Sequence, residues 1–149
     1  MSLLVSIDPG LHVGYAVWDL ETRRCLLAVE HTPETLHAAL QALDVGDVDH
    51  IVYEQFNLRP GKAALRQVGS VMPAAEAIGI VKAACWTHGL RAETGAAGQG
   101  ATIQRLTAAG YRWVSRGHGG HAKDAEALGV AHMRWKLADL GLHPNGSIA

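Results

Sequence analysis

Asp8 closes the apolar run Leu3-Leu4-Val5-Ser6-Ile7, and Glu54 closes Ile51-Val52-Tyr53, so each carboxylate sits on the last residue of a segment that reads as a buried strand. If the two strands are parallel neighbours, their C-terminal ends lie side by side, where open α/β sheets usually place their sites. His121 and Asp124 stand three apart at the start of the last helical stretch and therefore project from one helix face. Imidazole and carboxylate both ligate divalent ions, and a helix N-terminus adds positive potential that favours nearby anionic groups. Three carboxylates and a histidine form the ligand set for two Mg²⁺ or Mn²⁺ ions and for hydrolysis of a phosphodiester: one ion generates hydroxide from water, the other stabilises the leaving oxygen, and one carboxylate bridges the pair. Each motif alone has a plainer reading. Asp-Pro-Gly is a common turn, a strand can end in solvent on a glutamate, and H-x-x-D is often only a polar first turn. The ordered set, taken together, carries the chemistry. His118, between glycines, offers the same spacing one step earlier and is a rival ligand.

Positioning these groups requires a particular run of elements. After Asp8-Pro9-Gly10, a second strand is expected at about Val13–Asp19 and a third at Cys25–Glu30. Thr32-Pro33-Glu34 reads as a helix start with Thr32 as cap, and the helix runs to about Leu43 with Leu36, Leu40 and Leu43 on one face. Asp44–Asp49 is a polar connection to the strand that ends at Glu54, and Asn57–Lys62 is a basic loop. A long alanine-rich helix is predicted from about Ser70 to His88, a short strand at Leu90–Glu93, a glycine-rich loop at Thr94–Gly100 and a helix near Ala101–Ala109. The last helix covers His121–Leu140, with Ala125, Leu128, Ala131 and Ala138 at helical spacing, and Gly141 can terminate it. Strands first, then helices alternating with strands, predict an α/β (α+β) fold with a mixed sheet. Residues 1–142 are expected to form a single domain, with a frayed tail over 143–149.

Composition agrees with one soluble domain. The chain has 149 residues, 48% hydrophobic and 18% charged, with a formal charge of −1, which excludes a uniformly basic nucleic-acid binder. The total hides an uneven distribution: residues 1–56 carry 2 basic and 9 acidic side chains, whereas residues 57–92 carry 5 and 1 and residues 93–149 carry 6 and 4. Cys25 and Cys85 lack metal-type spacing and read as small apolar residues in a reducing compartment, without a disulfide. The N-terminus lacks a basic stretch before its apolar run, and Pro73, Glu76 and Lys82 interrupt Val68–Trp86, so no signal peptide or membrane span is expected and the location expected is cytoplasmic. Asp8-Pro9-Gly10 with Gly14 is also similar to the phosphate loop of actin-like ATPases and sugar kinases, but those enzymes close two lobes over a nucleotide and a chain of this length supplies one.

Ser6-Ile7-Asp8-Pro9-Gly10, then Gly14-Tyr15-Ala16, Tyr53-Glu54-Gln55-Phe56 and Ala122-Lys123-Asp124-Ala125, in that order, resemble the RuvC-like Holliday junction resolvases of the RNase H-like superfamily. The resemblance spans residues 3–135. It implies an RNase H-like mixed five-stranded sheet flanked by helices, a homodimer, and symmetric Mg²⁺-dependent (or Mn²⁺-dependent) nicking of a four-way DNA junction with two ions per site. Asp8 matches the bridging carboxylate, Glu54 the second ligand and Asp124 the last acidic ligand, while His121 matches a position that is Asp in some members and His in others. Phe56 falls near the family aromatic that stacks on a base, a contact worth roughly 1–3 kcal/mol, and a core phenylalanine is the competing reading. Arg59, Lys62 and Arg66 would reach phosphates. The chain departs from the family at two lysines: Gln104 stands where one is expected, with Arg105 beside it, and Ala92–Ala97 holds no counterpart of the other. Phosphate contacts or activation of the water would then come from Arg105, Arg112, Arg116 or Lys123. The short chain and its arginine usage resemble phage-type members, which would place it in a host cytoplasm. Two alternatives keep the same residues: a nuclease for other branched DNA such as flaps and forks, and a catalytically silent junction-binding domain.

Overall fold

The computed structural model describes residues 2–55, 72–95 and 98–139. Strands β1 (Leu3–Asp8), β2 (Val13–Asp19) and β3 (Arg24–His31) form an antiparallel meander, and α1 (Pro33–Ala42) crosses back to β4 (Val48–Glu54). Helix α2 (Pro73–His88), β5 (Ala92–Gly95), α3 (Gly100–Ala108) and α4 (Gly120–Asp139) follow. The sheet has five strands in the order β3-β2-β1-β4-β5, with β1/β4 and β4/β5 parallel. It is the mixed sheet expected, and its parallel pairing of β1 with β4 brings their C-terminal ends together.

Both faces of the sheet are covered, which is why β1 reads as a continuous apolar run. On one face Val5, Ile7, Val13, Tyr15 and Val17 pack with Leu36, Leu40, Ala77, Val81 and Cys85 of α1 and α2. On the other, Leu4, Ala16, Trp18 and Val52 pack with Leu106, Ala125, Leu128 and Met133 of α3 and α4. The period-2 alternation of a strand puts Leu4, Ser6 and Asp8 on the α4 face. Ser6 confirms that geometry by donating from Oγ to the Ala125 carbonyl at 2.7 Å.

Local chemistry sets the element ends. Thr32 caps α1 as expected: its hydroxyl accepts from Thr35 N–H at 3.2 Å, and Thr35 Oγ1 accepts from Thr32 N–H at 2.8 Å. Two strands depart from the sequence expectation. β4 starts at Val48 instead of Ile51, because Val48 is buried and pairs with Leu3. β5 lies at Ala92–Gly95 instead of Leu90–Glu93, because Gly89 ends α2 in a left-handed conformation (φ 68°) and Leu90 N–H bonds back to the Cys85 carbonyl, consuming Leu90 in the helix terminus. Among the described helices none is long and apolar enough to cross a membrane.

Candidate metal centre

Asp8 ends β1, Glu54 ends β4, and His121 and Asp124 occupy the first turn of α4. One ligand atom each from Asp8, His121 and Asp124 lies within 4.8 Å of the other two. Ligand atoms around one Mg²⁺ at 2.0–2.1 Å lie roughly 3–4 Å apart, so small side-chain rotations would close this group on a divalent cation; its two carboxylates suit a hard ion, whereas the imidazole favours a transition metal. Glu54 stands beside this trio. Its Oε1 accepts from Gly98 N–H at 3.0 Å, and its negative charge acts on both Asp8 and Asp124.

Close approach of α4 to the sheet makes the cluster possible. A Cβ on Gly14 would stand 1.9 Å from the His121 carbonyl oxygen, so no other residue at position 14 lets α4 start where it does. Gly119, just before the helix, has φ 95°, a conformation that favours glycine. Glu30 of β3 fixes the helix start from the other side: its Oε1 accepts from His121 N–H at 3.1 Å, placing a carboxylate on one of the unsatisfied donors of the first turn.

The electrostatics are those of a crowded acidic site. Burial pushes the Asp8 carboxyl up to about 6, helped by the charges of Glu54 and Asp124, while the hydrogen bond with His121 pulls the other way. Asp124 is also raised, first by burial and then by Glu54. His121 is raised because its Nδ1 bonds Asp8 Oδ2 at 3.0 Å, against an opposing desolvation. With Asp8 ionised, its Oδ2 accepts the Nδ1–H of His121, so the neutral ring carries its lone pair on Nε2. His12, exposed in the β1–β2 turn, stacks on the His121 ring with centroids 5.9 Å apart.

Of the residues expected to act on DNA, Arg105 is exposed on α3, and Gln104 beside it is also exposed. Phe56, Arg59, Lys62 and Arg66 lie outside the described residues, as does the tail 143–149. His118, the rival ligand, is exposed and is absent from the close trio. Sequence reasoning passed over Glu30 and His12, whose partner His121 is about a hundred residues away; no local spacing signals such contacts.

A mixed sheet in this order, helix-covered on both faces and with its acidic residues at the C-terminal edge of the β1/β4 pair, is the RNase H-like fold. Among solved structures the chain is similar to Thermus thermophilus RuvC in complex with a Holliday junction substrate, at 19% identity and TM-score 0.61, over 95% of this chain and 98% of that one. It is likewise similar to a second Thermus thermophilus RuvC structure, at 22% identity and TM-score 0.60, over 94% of this chain and 97% of that one. The fold is therefore RuvC-like. No protein-family model and no curated protein matches the chain.

Proposed function

We propose that the protein is a structure-specific endonuclease that resolves four-way DNA junctions by divalent-metal-dependent phosphodiester hydrolysis, acting as a homodimer that places two symmetric nicks. The observation that carries this reading is the gathering of Asp8, His121 and Asp124, with Glu54 alongside, at the sheet edge of a RuvC-like fold. The RuvC of the first comparison was solved with a Holliday junction substrate.

Asp8, Glu54, His121 and Asp124 would hold two Mg²⁺ or Mn²⁺ ions. When bound, such ions supply a hydroxide nucleophile at neutral pH and neutralise charge on the leaving oxygen. The protein's own groups prepare that chemistry. Asp8 orients the His121 ring through Nδ1, which leaves Nε2 as the ring's ligand or proton acceptor. Gly98 N–H holds Glu54 in place, and Glu30 fixes the turn that carries His121. Arg105, with Phe56, Arg59, Lys62 and Arg66, is assigned to the DNA: the cations to phosphates and the aromatic ring to an unstacked base.

Nicking of a labelled synthetic four-way junction in Mg²⁺ tests the reading, alongside a fork, a flap and linear duplex. Paired nicks in the junction arms are expected, with none from Asp8→Asn or Asp124→Asn. Equal turnover by those variants overturns the proposal. Tight junction binding without cleavage in any divalent ion would make the protein a binding domain, and equal cleavage of forks and flaps would widen its substrate to branched DNA.

A further inference from the structure

Between Gly98 and Lys123 the chain carries four basic side chains, Arg105, Arg112, Arg116 and Lys123, and no acidic one. Arg112 and Arg116 lie on the segment that joins α3 to α4, are exposed, and have no side-chain partner among the described residues. An exposed arginine in a loop ordinarily sweeps a wide volume. This loop is held unusually firmly, and the group that holds it is itself out of place by ordinary rules.

Glu126 of α4 is fully buried. Burying an ionised carboxylate is costly unless donors replace its water. Here all the donors come from the segment: Tyr111 O–H and Val114 N–H donate to Oε2 at 2.6 and 3.2 Å, and Ser115 N–H donates to Oε1 at 2.9 Å. Arg112 thus lies within, and Arg116 directly after, a segment bonded at three points to one carboxylate. Trp113 adds two more ties, donating its indole N–H to Thr107 Oγ1 at 3.2 Å and lying under Lys123 Nζ, 5.3 Å from the ring centroid. The anchored segment leads straight into the turn that carries His121, five residues beyond Arg116. Five residues reach at most about 18 Å, and DNA presents one phosphate per about 3.4 Å of axis on each strand, so Arg116 lies within a few phosphates of the candidate metal centre.

We propose that the Tyr111–Gly119 segment is a preset cationic platform for the DNA backbone, in which Arg112 and Arg116 contact phosphates flanking the scissile bond and Glu126 is the positioning residue that fixes the backbone carrying them. Fixing that backbone before binding removes part of the ordering cost that a flexible loop incurs on association. The inference rests on the nuclease reading above and names the residues that grip its substrate.

The test is the salt dependence of binding to a fluorescent four-way junction, measured by anisotropy in Ca²⁺. Each phosphate contact contributes about 0.9 to the slope of log K against log salt on duplex DNA, so Arg112→Ala/Arg116→Ala is expected to flatten the slope by nearly 2 and to lower affinity about tenfold or more at moderate salt. Arg112→Lys/Arg116→Lys should restore most of the slope. Arg91→Ala, at the opposite end of β5 from Gly95, is the charge control and should leave the slope unchanged. Glu126→Gln keeps the volume but loses acceptors; it should weaken binding and speed amide exchange at Val114 and Ser115. A double-alanine slope equal to wild type, in a protein that still cuts junctions, overturns the platform and leaves the nuclease reading standing. Failure of the wild type to bind any branched DNA overturns both.

Discussion

Asp8 holds its carboxyl in a place that disfavours its charge, and the metal-free protein should show it. Its pKa is raised from the ordinary carboxylate value to about 6, chiefly by burial. A carboxyl whose folded pKa lies above its unfolded one binds its proton more tightly when folded, so stability falls as pH rises from about 4 to about 6 and stays lower above that. Asp8→Asn escapes this penalty and can still accept from His121. In EDTA at pH 7.5 it is therefore expected to melt several degrees above wild type, with the gap shrinking as pH drops from 6 towards 4. A constant gap across that range in a thermal melt would remove burial of the charge as the cause. Cys25 offers an independent check, since burial pushes its thiol up to about 12, with Glu126 adding to the shift. Disulfide exchange with an aromatic reagent at pH 8 should be at least tenfold slower in the folded protein than in denaturant. Equal rates would refute the buried environment.

Gly14 and Tyr111 each decide how α4 docks. Gly14→Ala drives a methyl into the His121 carbonyl, which is backbone and cannot rotate away. A loss of about 2–4 kcal/mol in urea unfolding is expected, with weaker metal binding because the first turn of α4 shifts. Wild-type stability in that variant would mean the helix stands off further from β2. Tyr111→Phe removes the 2.6 Å donor to Glu126 and leaves a buried carboxylate short of a partner, at a cost of about 1–3 kcal/mol. The elements themselves were legible, since apolar runs mark β1 and β4 and Thr32-Pro33 marks the start of α1. Asp8 and Glu54 could be read as strand ends, and His121 with Asp124 as one helix face, because those relations are local or follow from sheet topology. Glu30 and Glu126 could not. Glu30 meets a donor 91 residues away, and Glu126 sits in a helix sequence whose spacing does not show that it is buried among donors from the preceding loop. The β5 boundary was missed for a related reason: Gly89 closes α2 through Leu90, and that backbone bond has no side-chain signature.

For the whole molecule, the formal charge of −1 describes the protein without cations. Under the proposed function, two divalent ions would add four positive charges at an acidic edge that would otherwise repel DNA. Junction affinity should therefore be at least tenfold higher in Ca²⁺ than in EDTA at equal ionic strength, and equal affinity would show that the site does not take up cations before DNA. Ca²⁺ or Mg²⁺ should also raise Tm by mass action in wild type and not in Asp124→Asn. The β1/β4 pairing and the docking of α4 have one more consequence, for the order of events during synthesis. The donors come from positions 8, 54, 121 and 124, so the chain must be made into α4, and β1 must already have found β4, before they can meet. Contacts so distant in sequence form late because closing the intervening loops costs entropy first. A nascent or clipped chain that lacks α4 holds two carboxylates and no complete site, so a nuclease built this way would spare DNA until α4 has docked.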